Sequence, residues 1–426
     1  MSNRRKCRPL KNKISFVVKY MLCFITLLLI YTLLKNHLYD DSNGQLSKVS
    51  VNDGYCWSSQ DEICRGTVAL LPLLNRLTSK SYFRYFKVNT EKQCPYWVVN
   101  FLCTSKENAC SVCRCDENNI PKELREEVDM SEYSIPDAHI SQTVPHPHNV
   151  ESWGAWKIKD EGAEYVDLLQ NPEANTGFIG PMATKVWQAI YNENCFPSDE
   201  SNCIESRVFR SLLSGFQTSV AIHVCTNFYK DSKFESPLYR TGLYNNPNIS
   251  FFPNCKMFKE KIQPNKDFIS NFYTLFQFTL RALTKAKHAF IDDMEKYYYS
   301  ASSALTLEHE ELQSDLLALF VSNLLCTKTF DEVSFMNSPK GRELVPQMKR
   351  MLANVSTIMD CVPCEKCRVW GKLAIKGLAI ATEINMNNDV YRLTLDRSEK
   401  FTLINLARQL SFSVKSLEIL DEVCSV

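Results

Sequence analysis

The sequence predicts a mainly α fold, a single helical domain preceded by a loop-rich, disulfide-tied segment. Three observations carry this. From Pro181 onward apolar residues recur at helical spacing with few breakers, the cysteines crowd between Cys56 and Pro147, and no β-rich block or internal repeat occurs. With 426 residues and 45% apolar composition the chain can bury a core that does not depend on disulfides alone.

Residues 1–13 carry Arg4, Arg5, Lys6, Arg8, Lys11 and Lys13 with no acid, and residues 14–34 are apolar apart from Lys19. This reads as a cytosolic basic tail followed by a transmembrane signal anchor, with Lys19 close enough to the end to snorkel. The first alanine is Ala69, so no small-residue cleavage site follows the apolar run. Residues 35–55 are polar and read as a stalk, which places 56–426 in the lumen or outside. Of 18 cysteines, all but Cys7 and Cys23 lie beyond the anchor, as suits an oxidising compartment. Asn248 and Asn354 open sequons compatible with glycosylation in the secretory pathway. Forty-nine basic against 48 acidic residues give no electrostatic case for nucleic acid.

Beyond the stalk, "LLPLLNRLT" reads as a helix and "YFRYFKV" as a short strand or turn. Helices are expected over 181–192, 206–229, 267–300, 307–325, 344–359, 370–384 and 403–424. The stretch "FISNFYTLFQFTLRALTKAKHAF" is apolar all round before turning polar, as in the central helix of a bundle.

The chemistry lies in the cysteines. In "MDCVPCEKCRVWGKL", residues 359–373, Cys361, Cys364 and Cys367 stand between two expected helices. A CxxC at a helix start sets one thiolate near unpaired backbone N–H groups, which lowers its pKa, and Lys366 and Arg368 add positive charge. Cys364 and Cys367 are the redox pair on this reading, and Cys361 is left to a distant structural partner. Three ordinary disulfides, or a metal site, are the alternatives. Zinc needs a fourth ligand, and no histidine follows His309.

A second cluster, residues 94–115, holds Cys94, Cys103, Cys110, Cys113 and Cys115. Between Cys103 and Cys110 there is no large apolar anchor, so a disulfide there is accessible to an outside thiolate. A stapled surface loop, or a zinc knuckle from Cys103, Cys110, Cys113 and Cys115, fits this segment equally. An exposed dithiol and a helix-based dithiol together make a relay. Thiol oxidation by oxygen is slow without a cofactor, so a flavin or quinone is implied. No GxGxxG follows a strand, so a flavin would lie within the helical bundle.

Six motifs in order, "YFRYFKVNTEKQCPYW", "ESWGAWKIKDEGAEYVDL", "TGFIGPMATKVWQAIYNENCF", "LLSGFQTSVAIH", "LRALTKA" and "MDCVPCEKCRVWGKL", resemble the endoplasmic reticulum oxidoreductins. These are flavin-dependent thiol oxidases that reoxidise protein disulfide isomerase, and the likeness runs from Cys56 to the C-terminus. It implies a helical domain holding FAD beside Cys364 and Cys367. Electrons would pass from the isomerase to a shuttle pair, Cys103 and Cys110, then to the inner pair, FAD and molecular oxygen, yielding hydrogen peroxide. Within the inner pair, Cys367 would meet the flavin and Cys364 would exchange with the shuttle. The anchor then implies a single-pass protein of the endoplasmic reticulum membrane with its catalytic domain lumenal.

The resemblance also implies bridges from Cys94 to Cys361 and from Cys195 to Cys203. Cys56 and Cys64 belong with the structural cysteines, but each stands singly where relatives carry C-x-C. For FAD it implies Thr176, Trp187, Ser214 and Arg281, with Gln217 where a histidine is usual. Ala174 and Phe268 stand where arginines are usual, and Lys185, His223 and Lys266 are the basic residues nearby. Six residues separate Cys103 from Cys110 where four are typical, so Cys110 and Cys113 both remain open as partners of Cys103. Two other readings stand beside this one: another helical flavin sulfhydryl oxidase, and a non-enzymatic disulfide- or zinc-stapled lumenal protein that has lost FAD.

Overall fold

A computed structural model describes residues 60–98, 110–125, 162–173, 181–194, 204–226, 228–229, 251–300, 306–321, 338–386 and 394–424. The chain divides into two compact units, Met1–Cys56 and Trp57–Val426, and every described residue belongs to the second. The basic tail, anchor and stalk expected from the sequence lie outside the described residues. Among those described, no helix is long and apolar enough to cross a membrane.

Helix α1 spans Gln60–Ser79 and buries Leu70, Leu73, Leu74 and Leu77, the stripe that "LLPLLNRLT" announces. "YFRYFKV" turns out to be both turn and strand: a 3₁₀ turn at Ser81–Phe83 leads into β1, Tyr85–Val88. β1 pairs antiparallel with β2, Glu164–Asp167, with Tyr85 opposite Asp167 and Val88 opposite Glu164. Alternate residues of β1, Phe86 and Val88, turn into the core.

The helical part comprises α2 (Pro181–Glu193), α3 (Ile204–Thr226), α4 (Cys255–Met257), α5 (Lys266–Ser300), α6 (Thr306–Val321), α7 (Pro339–Met359), α8 (Glu365–Met386) and α9 (Arg397–Cys424). Between α3 and α4, strands β3 (Phe228–Tyr229) and β4 (Phe251–Phe252) form a two-residue antiparallel pair. The expectation of helix as far as residue 229 is therefore corrected. The side chain of Thr226, the last helical residue, turns back to the Ile222 carbonyl at 2.8 Å, and the aromatic pair that follows is strand.

Three helices begin earlier than periodicity alone indicates, each for a capping reason. Ser338 Oγ accepts the Gly341 N–H at 2.9 Å, with Pro339 at the first helical position of α7. At α9, Asp396 Oδ1 accepts the Glu399 N–H and Glu399 Oε2 accepts the Asp396 N–H, both at 2.8 Å. That reciprocal pair is a capping box, and it starts α9 at Arg397 instead of 403. Helix α8 begins at Glu365 instead of 370, with Cys364 at its cap and Cys367 in its first turn.

Helix α9 is the most enclosed, touching α1, α3, α5 and α8. Phe401, Ile404, Leu406, Leu410, Val414 and Leu417 are buried, and so are Thr402, Asn405, Ser413 and Ser416. Three of these polar side chains bond within the protein: Thr402 to the Ser398 carbonyl at 2.9 Å, Asn405 to the Phe83 carbonyl at 3.2 Å, and Ser413 to Ser219 at 2.9 Å. Helices α3 and α5 approach closely at Gly215, where a Cβ would lie 2.3 Å from the Asn271 carbonyl oxygen. A disulfide from Cys255 to Cys424 ties the end of α9 to α4.

Candidate active site

Helix α7 ends at Met359 and α8 starts at Glu365, so residues 360–364 form a tight connection that carries Cys361 and Cys364. Cys364 occupies the cap position, and its Sγ accepts the Cys367 N–H at 3.3 Å, the bond a capping serine or threonine makes. An N–H aimed at sulfur, at the positive end of a 22-residue helix, favours negative charge there. Cys364 is buried, and Cys367, one turn on, is half-buried.

Charged side chains hold this connection in place. Arg368 donates from Nε and Nη2 to the Val362 carbonyl at 3.2 and 3.0 Å, and from Nη1 to the Thr90 carbonyl. Burial pushes its pKa down, with Asp360 and Glu365 opposing. Lys372 pairs with Asp360, whose carboxyl burial raises above the ordinary range against the pull of Lys372. Removing one member of such a buried pair strands the other charge, which typically costs about 3–5 kcal/mol.

The second cysteine cluster packs on this helix start. Cys94 forms a disulfide with Cys361. Cys110 is disulfide-bonded, its partner lying outside the described residues, and its carbonyl accepts the Lys366 N–H at 3.0 Å. The Val112 N–H donates to Glu365 at 3.0 Å. Asn171, wholly buried, grips the Cys113 backbone from both sides at 2.7 Å, and its own carbonyl takes the Trp370 indole N–H at 2.9 Å. Asn171 is fixed in turn by the Asp167 carbonyl at 3.0 Å, and Arg84 clamps the Asp167 carboxylate bidentately.

Cys113 is an exposed thiol, not a disulfide partner, which leaves Cys110 as the bridged cysteine of this arm. Burial, then Asp167, pushes the Cys115 thiol up. With Cys110 in a disulfide, a zinc knuckle from Cys103, Cys110, Cys113 and Cys115 lacks one thiolate. Cys225 is a buried thiol whose pKa burial raises to about 12, which makes it inert.

Cys367 opens onto a cavity between α2, α3, α8 and α9. Trp187 of α2, Phe216 of α3 and Trp370 of α8 form aromatic walls, the first two ring centroids 5.7 Å apart and edge-on. Gly371 keeps the floor open, because a Cβ there would stand 2.7 Å from Met359 Sδ. Polar groups gather at one end: Glu173, His223 and Gln409, with Gln409 Oε1 buried and unbonded. An aromatic-walled space beside a cysteine, with an unbonded acceptor at its polar end, fits the isoalloxazine of a flavin.

Of the residues expected to hold FAD, Trp187 lines this cavity and Thr176 lies outside the described residues. Ser214, Gln217 and Arg281 do not line it: Ser214 Oγ accepts from Asn271 at 3.1 Å, Gln217 from the Tyr191 hydroxyl, and Arg281 is buried in α5. Among the basic residues nearby, His223 lines the cavity, Lys185 lies over the Trp97 ring at 4.8 Å, and Lys266 opens α5 on the surface. Phe268 is half-buried in the first turn of α5. Ala174, Cys56, Cys103, Cys195 and Cys203 lie outside the described residues, as does the Cys64 side chain. Asn354 sits inside α7, half-buried, and Asn248 lies outside the described residues.

Asn171, Glu173 and Gln409 are contributors that the cysteine patterns miss. One signal was available: Phe216, Ser219, Val220 and His223 fall on one face of α3 at helical spacing, and all four line the cavity.

A family model described as Endoplasmic Reticulum Oxidoreductin 1 matches residues 69–417. Endoplasmic reticulum oxidoreductin-2 of Arabidopsis thaliana is 31% identical over 366 residues, which cover 82% of this chain and 74% of that protein. ERO1-like protein alpha of Homo sapiens is 29% identical over 410 residues, covering 82% and 85%. A solved structure of a mutant of S. cerevisiae Ero1p superposes with a TM-score of 0.59 at 23% identity, covering 86% of this chain and 98% of that one, a likeness of fold.

Proposed function

The chain belongs to the Endoplasmic Reticulum Oxidoreductin 1 family, and from that premise we propose the route its electrons take. It is an FAD-dependent thiol oxidoreductase of oxidative protein folding in the endoplasmic reticulum, acting on thiol oxidoreductases such as protein disulfide isomerase. One observation carries the route: Cys367 lines the cavity, whereas Cys364, which does not, caps the helix on which the Cys110 arm rests.

A thiolate of the reduced isomerase attacks the disulfide that joins Cys103 to Cys110, and the isomerase leaves as a disulfide once its second thiol resolves the bond. The reduced arm then attacks the inner Cys364–Cys367 disulfide at Cys364. Cys367 leaves as the thiolate, and the second arm thiol resolves the mixed disulfide and restores Cys103–Cys110. The helix-end N–H on the Cys364 sulfur steadies charge there during the exchange. FAD, when bound, takes the electron pair of the inner dithiol and passes it to molecular oxygen, giving hydrogen peroxide. Trp187, Trp370 and Phe216 would hold its ring and exclude water.

Residues 14–34 serve as a single-pass signal anchor on this proposal, with 1–13 cytosolic, 35–55 a stalk and the oxidase lumenal; the apolar run and its basic flank support this. The purified protein is expected to show the visible absorption of bound flavin and to consume oxygen faster with reduced isomerase than with small thiols at equal thiol concentration. Absence of the flavin band, or equal rates with both reductants, overturns the reading.

A further inference from the structure

The polar end of the cavity is arranged around Gln409. This residue of α9 is 7% exposed, and its Nε2 donates to Glu173 Oε1 at 3.2 Å. With its NH₂ turned towards Glu173, the amide points its oxygen the other way. That oxygen is buried and without a partner, and the residue lines the cavity. His223 approaches the same Glu173 oxygen, with Nδ1 at 3.9 Å. A buried acceptor with nothing to accept is uncommon in a folded protein, and of the several buried polar atoms so left among the described residues this one belongs to a residue lining the cavity.

Resting on the flavin reading of this cavity, we propose that Gln409 Oε1 accepts the N3–H of the isoalloxazine, and that Glu173 is the positioning residue that fixes the amide's orientation. The oxidised ring carries a single N–H, at N3, between two carbonyls; its other heteroatoms only accept. FAD's further donors are hydroxyls and the adenine amine, which lie on the ribityl chain and at the far end of the molecule. The ring is the part that must reach Cys367, and Cys367, the three aromatic walls and Gln409 share one cavity. The ring's pyrimidine edge therefore meets the Glu173–Gln409 end. Lose that acceptor, and the cavity no longer distinguishes a ring with a proton at N3 from one without.

The test replaces the native flavin of the full chain with FAD or with N3-methyl FAD and follows binding by absorbance and fluorescence quenching, independently of turnover. Wild type is expected to bind FAD about tenfold or more tightly than the methylated analogue. In Gln409→Leu the preference falls to within about twofold. Should Gln409→Leu fail to fold, Glu173→Ala leaves the amide in place but free to turn, and the preference is again expected to fall. Equal binding of both flavins by wild type, or an undiminished preference in Gln409→Leu, overturns the assignment while leaving the cofactor reading intact. A wild-type chain that takes up neither flavin overturns the cofactor reading itself.

Discussion

Cys364 and Cys110 stand on the same helix start, yet the protein holds them by different means. Around Cys364 the restraint is helical and ionic: a cap bond to sulfur, the Arg368 fork on the Val362 carbonyl, and the buried Lys372–Asp360 pair. Around Cys110 the bonds fall on main-chain groups, neutral ones from the Lys366 N–H and the Asn171 amide and one from the Val112 N–H to the Glu365 carboxylate, on a segment whose Cys113 thiol is exposed. The difference matches two tasks. On the proposed route Cys364 exchanges only with the tethered arm and can be buried in fixed geometry, whereas a sulfur that meets another protein must be reachable and still return to the same place.

The comparison breaks most completely at the inner pair. Cys364→Ala or Cys367→Ala is expected to abolish oxygen consumption with reduced isomerase, a loss of about a thousandfold or more, since each removes a covalent step. A Cys364→Ala protein that consumes oxygen at the normal rate would show that the inner pair has been misassigned. Asn171→Ala addresses the neutral main-chain bonds. It releases both backbone bonds to Cys113, and a stability loss of about 1–3 kcal/mol is expected in denaturant titration. Turnover with isomerase should fall more than flavin content does; an unchanged rate would mean that Asn171 holds the fold and not the arm. The smallest effect belongs to Cys113→Ser, for which oxygen uptake should stay within about twofold of wild type, because the disulfide of this arm uses Cys110. A collapse of the rate would place Cys113 in the exchange.

The helices were legible because their apolar stripes recur over many turns, and α2 and α5 begin within a residue of where periodicity puts them. Their starts were less so at α7, α8 and α9, where caps decide and not apolar residues. The Asp396-x-x-Glu399 box is plain in the sequence, but opens seven residues before Leu403, where periodicity starts the helix. Helix α9 hides its centrality for a related reason: Thr402, Asn405, Ser413 and Ser416 read as a polar face, though all are buried.

At the site, cysteine spacing pointed to the CxxC pair, because reactive dithiols need closeness along the chain. It could not point to Cys255 with Cys424, which are 169 residues apart and meet only because α9 folds back on α4. Nor could it find Gln409, one polar residue among several in α9, or Asn171, whose importance lies in the Cys113 backbone N–H and carbonyl and the Trp370 indole contributed by other segments. Such residues are defined by what tertiary structure brings to them.

The Cys94–Cys361 bridge has one more consequence. Cys94 is bonded to the connection just before α8, and the Cys110 carbonyl is bonded to the first turn of that helix, so the chain between them is tethered at both ends. From Cys110, Cys103 is seven residues away, a contour of about 25 Å at full extension. A thiolate confined to so small a volume has an effective concentration on the order of millimolar towards its target. On the proposed route, handing electrons inward is therefore first-order in the protein alone, and dilution slows only the encounter with the isomerase.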